Sequence, residues 1–270
     1  AVSRHGSQAQ RDAVLPGLLD GTAVAAWCGH HLATAHAHGD DLVVSGRLEP
    51  VEAGAQASHL LVSFRHAGGV GQALLPADTP GLRVEPLDGL DLVRRFAAVE
   101  LREVTVTPHQ LLGGATGAEC GVERQLQVAG VLQCAETVGA MDRVFAMTLE
   151  YLGDRYSFGR PLSSFQALKH RMADQKLWLE ASHAIATGAA RAVAAEQADA
   201  AELVSAAKAW IGPHATELVQ DCVQLHGGIG VTWEHDLHLY LRRVTVNRVT
   251  HGTPAEHAER LAAELLGAAS

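Results

Sequence analysis

Apolar residues between Thr22 and about Pro108 occur in short runs of strand length, which are interrupted by turn-prone glycine, proline and aspartate. No long helical pattern separates these runs, so they predict an antiparallel sheet or a small barrel rather than a parallel sheet. The predicted strands are Ala23–Trp27, Asp41–Ser45, His59–Phe64, Gly71–Leu75, Leu82–Val84, Ala97–Leu101 and Val104–Thr107.

After Gly114 the apolar residues recur every three or four positions instead. The stripe from Val128 to Leu152 predicts one long amphipathic helix. Three further helices are predicted from capping patterns at their first residues. These patterns are Ser163 with Gln166, Asp199 with Glu202, and Thr253-Pro254 with Glu256. The predicted fold is therefore α+β, with a short broken helix at 1–21, an antiparallel, barrel-like β domain at 22–115 and an up-and-down four-helix bundle at 116–270.

Composition and charge narrow the functional classes. The chain is 47% hydrophobic and 19% charged, and no apolar run approaches the roughly 20 residues of a membrane span. Its net charge of −9 argues against a nucleic-acid partner, which would require clustered lysine and arginine. Four scattered cysteines without a CxxC pair indicate a reduced, cytoplasmic protein. The pairs His36/His38 and His235/His238 lack the spacing of a known metal motif, so no metal site is predicted.

Three segments of the helical half match one set of signatures. Arg155-Tyr156-Ser157-Phe158-Gly159, continued to Leu162 and Gln166, resembles the R-x-(S/T)-F-G-x-x-L-x-x-x-Q signature of acyl-CoA dehydrogenases. The segment from Gln224 to Gly230 resembles their Q-x-x-G-G-x-G signature, and Arg242 to Thr253 resembles R-D-x-x-x-x-x-x-x-E-G-T. Their order and separations also fit, so the chain resembles this family.

The resemblance implies half of a cofactor site. In the family, FAD lies across a subunit interface, and these segments of the helical domain contact its pyrophosphate and adenosine. The residues expected to bind the cofactor are Arg155 and Ser157 as donors to the pyrophosphate side, Phe158 packed on the adenosine side, Gln166 and Gln224 as hydrogen-bond partners, and Gly227 and Gly228 as points of close backbone approach. The alternative is local structure alone, with Gly227-Gly228 ending a helix and Gln166 completing a capping box.

Other parts of the chain depart from the family pattern. Residues 1–21 resemble only a remnant of the family's N-terminal helical domain. Pro50-Val51-Glu52 stands where a Trp-(Ile/Val)-(Ser/Thr) strand normally meets the flavin, and Trp27 to His31 replaces a longer flavin-binding loop. Proline lacks a backbone donor and glutamate adds negative charge, so we expect this β domain to hold flavin poorly.

The position of the catalytic base also differs. The family places a glutamate before Gly-Thr, and here that residue is His251. The turn from Ala129 to Gln133, where some members carry the base, contains no acid. No catalytic residue is therefore predicted, and His251 as a replacement base is the alternative. Arg242-Arg243 stands where the family has Arg-Asp. The alternatives for the extra positive charge are that it faces a partner, a CoA phosphate or solvent.

These departures predict a degenerate subunit of a heteromeric acyl-CoA dehydrogenase. The resemblance is to the α2β2 enzymes of actinobacterial steroid catabolism, in which one subunit type has lost its own site. Implied partners are a catalytic subunit that shares FAD, a CoA thioester held mainly by that subunit, and an electron-transfer flavoprotein. The alternatives are a homo-oligomeric dehydrogenase that uses His251 and an interaction module that binds no flavin.

Overall fold

A computed structural model describes residues 1–267, apart from the side chains at positions 30, 265 and 267. The chain forms two compact units, Ala1–Leu126 and a second that begins at Gln127. The first unit opens with α1 (Val2–His5) and α2 (Gln8–Asp20), the short broken helix of the prediction. Ser7 and Gln10 cap α2 reciprocally, and Gly21 ends it with φ of 80°.

A six-stranded sheet fills the rest of the first unit, in the order β4-β3-β1-β2-β6-β5. The strands are β1 (Ala25–His38), β2 (Asp41–Glu52), β3 (His59–His66), β4 (Gly69–Pro76), β5 (Leu82–Leu87) and β6 (Phe96–Val106). The predicted α+β class is confirmed, but a wholly antiparallel sheet is wrong because β1 pairs with β3 in parallel. β2 already pairs with β1 and β6, so the chain reverses and adds β3 to the far edge of β1.

Two strand predictions need correction. Ala97–Leu101 and Val104–Thr107 were expected as separate strands, yet β6 runs through both. Glu103 lies between them with φ of 50°, and its N–H donates to Ser45 Oγ at 3.1 Å, which makes a bulge instead of a break. The first predicted strand also extends to His38. The sequence does not predict this extension, because its inward residues are alanines such as Ala33 and Ala35, which give a weak apolar alternation.

The core of the first unit lies against both faces of the sheet. Val44, Leu60, Phe64, Leu75 and Val99 are fully buried on one side. On the other side α1 and α2 pack on the sheet, with a smaller cluster formed by Val2, Val14, Leu61, Leu74 and Leu112. This second layer shields part of the sheet from solvent.

The second unit is helical, as predicted. Its elements are the body of α3 (Glu119–Asp154), a hairpin of β7 (Tyr156–Ser157) and β8 (Arg160–Pro161), α4 (Gln166–Ala194), α5 (Ala200–Leu225), α6 (Leu237–Val249) and α7 (Pro254–Gly267). Its largest buried side chains include Met141, Leu179, Ile211, Leu218 and Leu237. α6 was not predicted as a separate helix, because its first residues alternate leucine with His238 and Tyr240 in a strand-like pattern. No helix in the described part of the chain is long and apolar enough to cross a membrane.

The helix caps differ from the prediction at one position. Ser163 does not cap α4, which begins at Gln166 after a 3-10 turn that carries the chain out of the hairpin. The predicted cap of α7 is confirmed. Thr253 Oγ accepts from the Glu256 N–H at 3.3 Å, and the Glu256 carboxylate accepts from the Thr253 N–H at 2.7 Å.

Candidate functional site

The hairpin after α3 holds an aromatic side chain away from the core. Phe158 and Gly159 form its two-residue loop with φ of 53° and 78°, the left-handed pair that a tight hairpin turn requires. Glycine adopts this conformation readily, whereas a bulky residue is strained in it. Phe158 is nevertheless 92% exposed, and its ring meets that of Phe165 edge-on at 6.4 Å. A strained residue that exposes a large apolar ring is typical of a binding position.

The backbone of Arg155 is fixed on both sides. Its N–H donates to Tyr151 O at 2.9 Å, and its carbonyl accepts from the Leu162 N–H at 2.8 Å. The side chain of Arg155 is exposed at this rigid junction between α3 and the hairpin. A guanidinium on such a support suits a bidentate anion such as a diphosphate.

The glycines that follow α5 are required for different reasons. A Cβ on Gly230 would lie 2.4 Å from Val223 O, so the fold itself excludes a side chain there. Gly227 has φ of 64°, which favours glycine after the end of a helix. Gly228 has neither feature, since its φ is not left-handed and a Cβ would meet no atom of the described chain within 4 Å. The fold therefore leaves the backbone of Gly228 open on the side that a side chain would cover.

Tyr151 and His226 join the end of α3, which leads into the hairpin, to the glycine segment that follows α5. The hydroxyl of Tyr151, near the end of α3, donates to His226 O at 3.1 Å, and the two rings stack with centroids 4.4 Å apart. α4 begins beside the hairpin, where the Arg160 guanidinium lies 3.9 Å from the centre of the Phe165 ring. The structure thus places the predicted residues at one end of the helical unit, and these are Arg155, Ser157, Phe158, Gln166, Gln224, Gly227 and Gly228. Tyr151 was missed, although it precedes Arg155 by one helical turn.

Histidines around this end are engaged in packing. His226 is buried, its Nδ1 lies 2.8 Å from Cys222 O, and burial lowers its pKa. The Nδ1 of His235 accepts from the Leu237 N–H at 3.2 Å, and His238 stacks on Trp233 at 4.5 Å. Among the side chains that the structure describes, no three from His, Cys, Asp or Glu are grouped so as to hold a metal ion.

The loop at which the resemblance leads one to expect a catalytic base is held through its backbone. His251 has φ of 58°, and its carbonyl lies 3.1 Å from His257 Nε2. A carbonyl only accepts, so Nε2 carries the proton and Nδ1 accepts from the Ser205 hydroxyl at 3.2 Å. Burial lowers the pKa of His257, which keeps the ring neutral in this role.

A buried lysine supports the same loop from the other side. Lys208 Nζ donates to Asn247 O and Thr250 O, both at 2.8 Å, and to the side chain of Gln133. These carbonyls belong to the C-terminal turn of α6, so the ammonium group caps that helix. Gln133 is the last residue of the α3 turn from Ala129 to Gln133, which contains no acidic side chain.

Arg243, where the resemblance leads one to expect an aspartate, pairs with an acid on α3. Its guanidinium lies 2.5 Å from the Glu136 carboxylate, which also accepts from Asn247 Nδ2 at 2.9 Å. The Arg242 guanidinium lies 5.4 Å from the centre of the Trp233 ring. The extra charge at position 243 is thus matched by Glu136 within the helical unit.

The expected flavin strand of the β unit carries an ion pair. Arg94 Nη1 lies 2.7 Å from the Glu52 carboxylate, so the negative charge of Glu52 is compensated. The pairing of β1 with β3 shifts register between Cys28 and Ala33, where the replaced loop forms a bulge. The Trp27 ring covers Gly29, since a Cβ on that glycine would lie 1.9 Å from it.

Comparisons with known proteins agree with these motifs. Residues 120–266 match the acyl-CoA dehydrogenase C-terminal domain. Acyl-CoA dehydrogenase IpdE2 of Mycolicibacterium smegmatis is 32% identical over 83% of this chain and 70% of its own length. The protein of the same name from Mycobacterium tuberculosis is 36% identical over 67% of this chain, which spans about half (51%) of that relative.

A solved structure shows the same fold. The crystal structure of a glutaryl-CoA dehydrogenase from Mycobacterium smegmatis in complex with FADH2 superposes with a TM-score of 0.91 at 23% identity, over 98% of this chain and 72% of that one. At this identity the likeness concerns the fold alone. Together with the family match over more than half of the sequence, it leads to one conclusion: the chain belongs to the acyl-CoA dehydrogenase family.

Proposed function

We propose that this chain is a subunit of a heteromeric FAD-dependent acyl-CoA dehydrogenase and supplies the adenosine and pyrophosphate side of a cofactor whose flavin ring lies in a partner subunit. The observation that carries this proposal is the open backbone of Gly228. The fold has room for a side chain at this position, so folding does not explain why the residue is glycine. It lies at the same end of the helical unit as the exposed Arg155 and Phe158.

The residues at this end fit an adenosine diphosphate group. Arg155 would pair with the diphosphate, whose oxygens match the two N–H groups of a guanidinium edge. Gly227 and Gly228 would let backbone amides approach the same group, and Phe158 would pack against the adenosine. Ser157, Gln166 and Gln224 add side-chain hydrogen-bonding groups.

The β unit supports the division of labour between two chains. Pro50 offers no backbone N–H, and Glu52 is engaged with Arg94 at the strand expected to meet the flavin. His251 replaces the carboxylate that would take the α-proton of an acyl thioester. FAD, when bound, accepts the hydride from the β-carbon, so both this hydride transfer and the proton abstraction would occur in the partner's site.

The substrate follows from the family chemistry. The proposed reaction is α,β-desaturation of a CoA thioester, with an electron-transfer flavoprotein as acceptor. A steroid-derived acyl group is proposed from the resemblance to heteromeric steroid-catabolic enzymes, and the mycobacterial origin of both IpdE2 relatives is consistent with it. A cytoplasmic location is part of the same proposal.

Flavin content tests this function. The chain purified alone should be colourless, whereas the complex with its co-purifying dehydrogenase subunit should be yellow, with one FAD per partner subunit. Arg155→Ala should reduce the FAD of the complex. Arg191→Ala, also exposed but near the other end of α4, is the matched control and should leave it unchanged.

Two results would favour the alternatives. A yellow protein from the chain alone would support a homo-oligomeric dehydrogenase with His251 as base. A complex whose flavin content does not change in the Arg155→Ala variant would instead indicate an interaction module that does not contact the cofactor.

A further inference from the structure

We propose that Tyr151 is a positioning residue that sets the spacing between the two segments proposed to contact FAD. This inference rests on the proposed function, because it concerns the same end of the helical unit. Neither Tyr151 nor its partner His226 is among the residues proposed to touch the cofactor.

Tyr151 holds one segment with its backbone and the other with its side chain. Its carbonyl accepts from the Arg155 N–H at 2.9 Å, and its hydroxyl donates to His226 O at 3.1 Å. His226 lies between Gln224 and Gly227 in the chain. A single residue therefore fixes the backbone on which the Arg155 guanidinium is mounted and the backbone that leads into the open glycines.

His226 is itself held rigidly, so the contact with Tyr151 transmits position. It is 2% exposed, and its Nδ1 lies 2.8 Å from Cys222 O, one helical turn earlier in α5. The Tyr151 ring stacks on one face at 4.4 Å, and the His235 ring meets it edge-on at 4.9 Å. These contacts tie the orientation of the His226 ring to the end of α5 on one side and to Tyr151 on the other.

A conservative variant separates positioning from folding. Tyr151→Phe keeps the stacked ring and removes only the hydroxyl, so the core should remain packed. Loss of one hydrogen bond corresponds to about a fivefold change in an equilibrium constant. We expect about fivefold faster amide hydrogen exchange in residues 224–231 of the full chain, and about fivefold weaker retention of FAD by the complex with the partner subunit.

Tyr240→Phe is the matched control, because Tyr240 is a half-buried tyrosine that packs on the same core from α6. Both variants should melt within a few degrees of the wild type, and only Tyr151→Phe should change exchange and FAD retention. Unchanged FAD retention in Tyr151→Phe would overturn the inference. If Arg155→Ala weakens FAD retention in that case, the proposed function survives. If Arg155→Ala has no effect either, the proposed function fails as well.

Discussion

Replacing Lys208 by methionine should destabilise the helical unit strongly. Lys208 is 4% exposed, and its three donors are directed at Gln133, Asn247 O and Thr250 O. Methionine fills nearly the same volume but donates nothing. The substitution therefore removes the cap of α6 and leaves two backbone carbonyls and one side-chain amide without this donor.

The magnitude follows from the number of lost hydrogen bonds. A buried acceptor that loses its partner costs about 1–3 kcal/mol, and the lower end of that range applied to three acceptors gives about 3 kcal/mol. For a chain of this size such a loss lowers the melting temperature by about 6–12 °C. The variant no longer has to bury an ammonium group, which is costly to desolvate. This gain offsets part of the loss, so the expected loss of stability lies near the lower end of the range of about 1–3 kcal/mol per acceptor, about 3 kcal/mol in all.

Urea unfolding followed by tryptophan fluorescence measures this change, because the helical unit contains Trp178, Trp210 and Trp233. Lys176→Met is the matched control. Lys176 forms an exposed pair with Glu180 one turn along α4, and loss of such a pair changes stability by less than about 0.5 kcal/mol. A Lys208→Met chain as stable as Lys176→Met would show that Lys208 does not hold α6.

Two further predictions concern the glycines that follow α5 and the buried histidine in the first turn of α7. Gly230→Ala should lower stability by about 1–3 kcal/mol, since its Cβ would lie 2.4 Å from Val223 O, whereas Gly228→Ala should leave thermal stability unchanged and reduce only the FAD content of the complex. Stability should fall as pH drops below 6.5, because burial lowers the pKa of His257 and the unfolded chain then binds more protons. Thermal melts between pH 7.5 and 5.5 should show that the melting temperature of His257→Gln depends less steeply on pH than that of the wild type. Some pH dependence should remain in this variant, because burial also lowers the pKa of His226.

The sequence predicts features that depend on local pattern. The stripe between Val128 and Leu152 marks α3, and Thr253 with Glu256 marks the start of α7, because a helix repeats one face and one cap. The parallel pairing of β1 with β3 has no such mark. It arises from which strand edges remain available after β2 has paired on both sides, which is a property of the whole sheet.

The candidate site also depends on a contact that local sequence pattern does not predict. Arg155 and Gly228 could be chosen from their motifs, but the contact that joins their segments lies between residues 75 positions apart in the chain. Tyr151 lies next to Leu152, the last residue of the apolar stripe that predicts α3, and no motif marks it. Its role depends on the antiparallel course of α3, α4 and α5, which returns the end of α5 to the end of α3.

The base loop shows why a matched motif does not imply a retained activity. Gly252 has φ of 103°, and a Cβ there would lie 2.7 Å from His257 Nε2, so the fold requires glycine. Thr253 is required as the cap of α7. At position 251 the bond from His257 is made to the backbone carbonyl, which every residue provides. Folding alone therefore accounts for Gly252 and Thr253, whereas the support that His257 gives to the loop does not depend on the side chain at position 251.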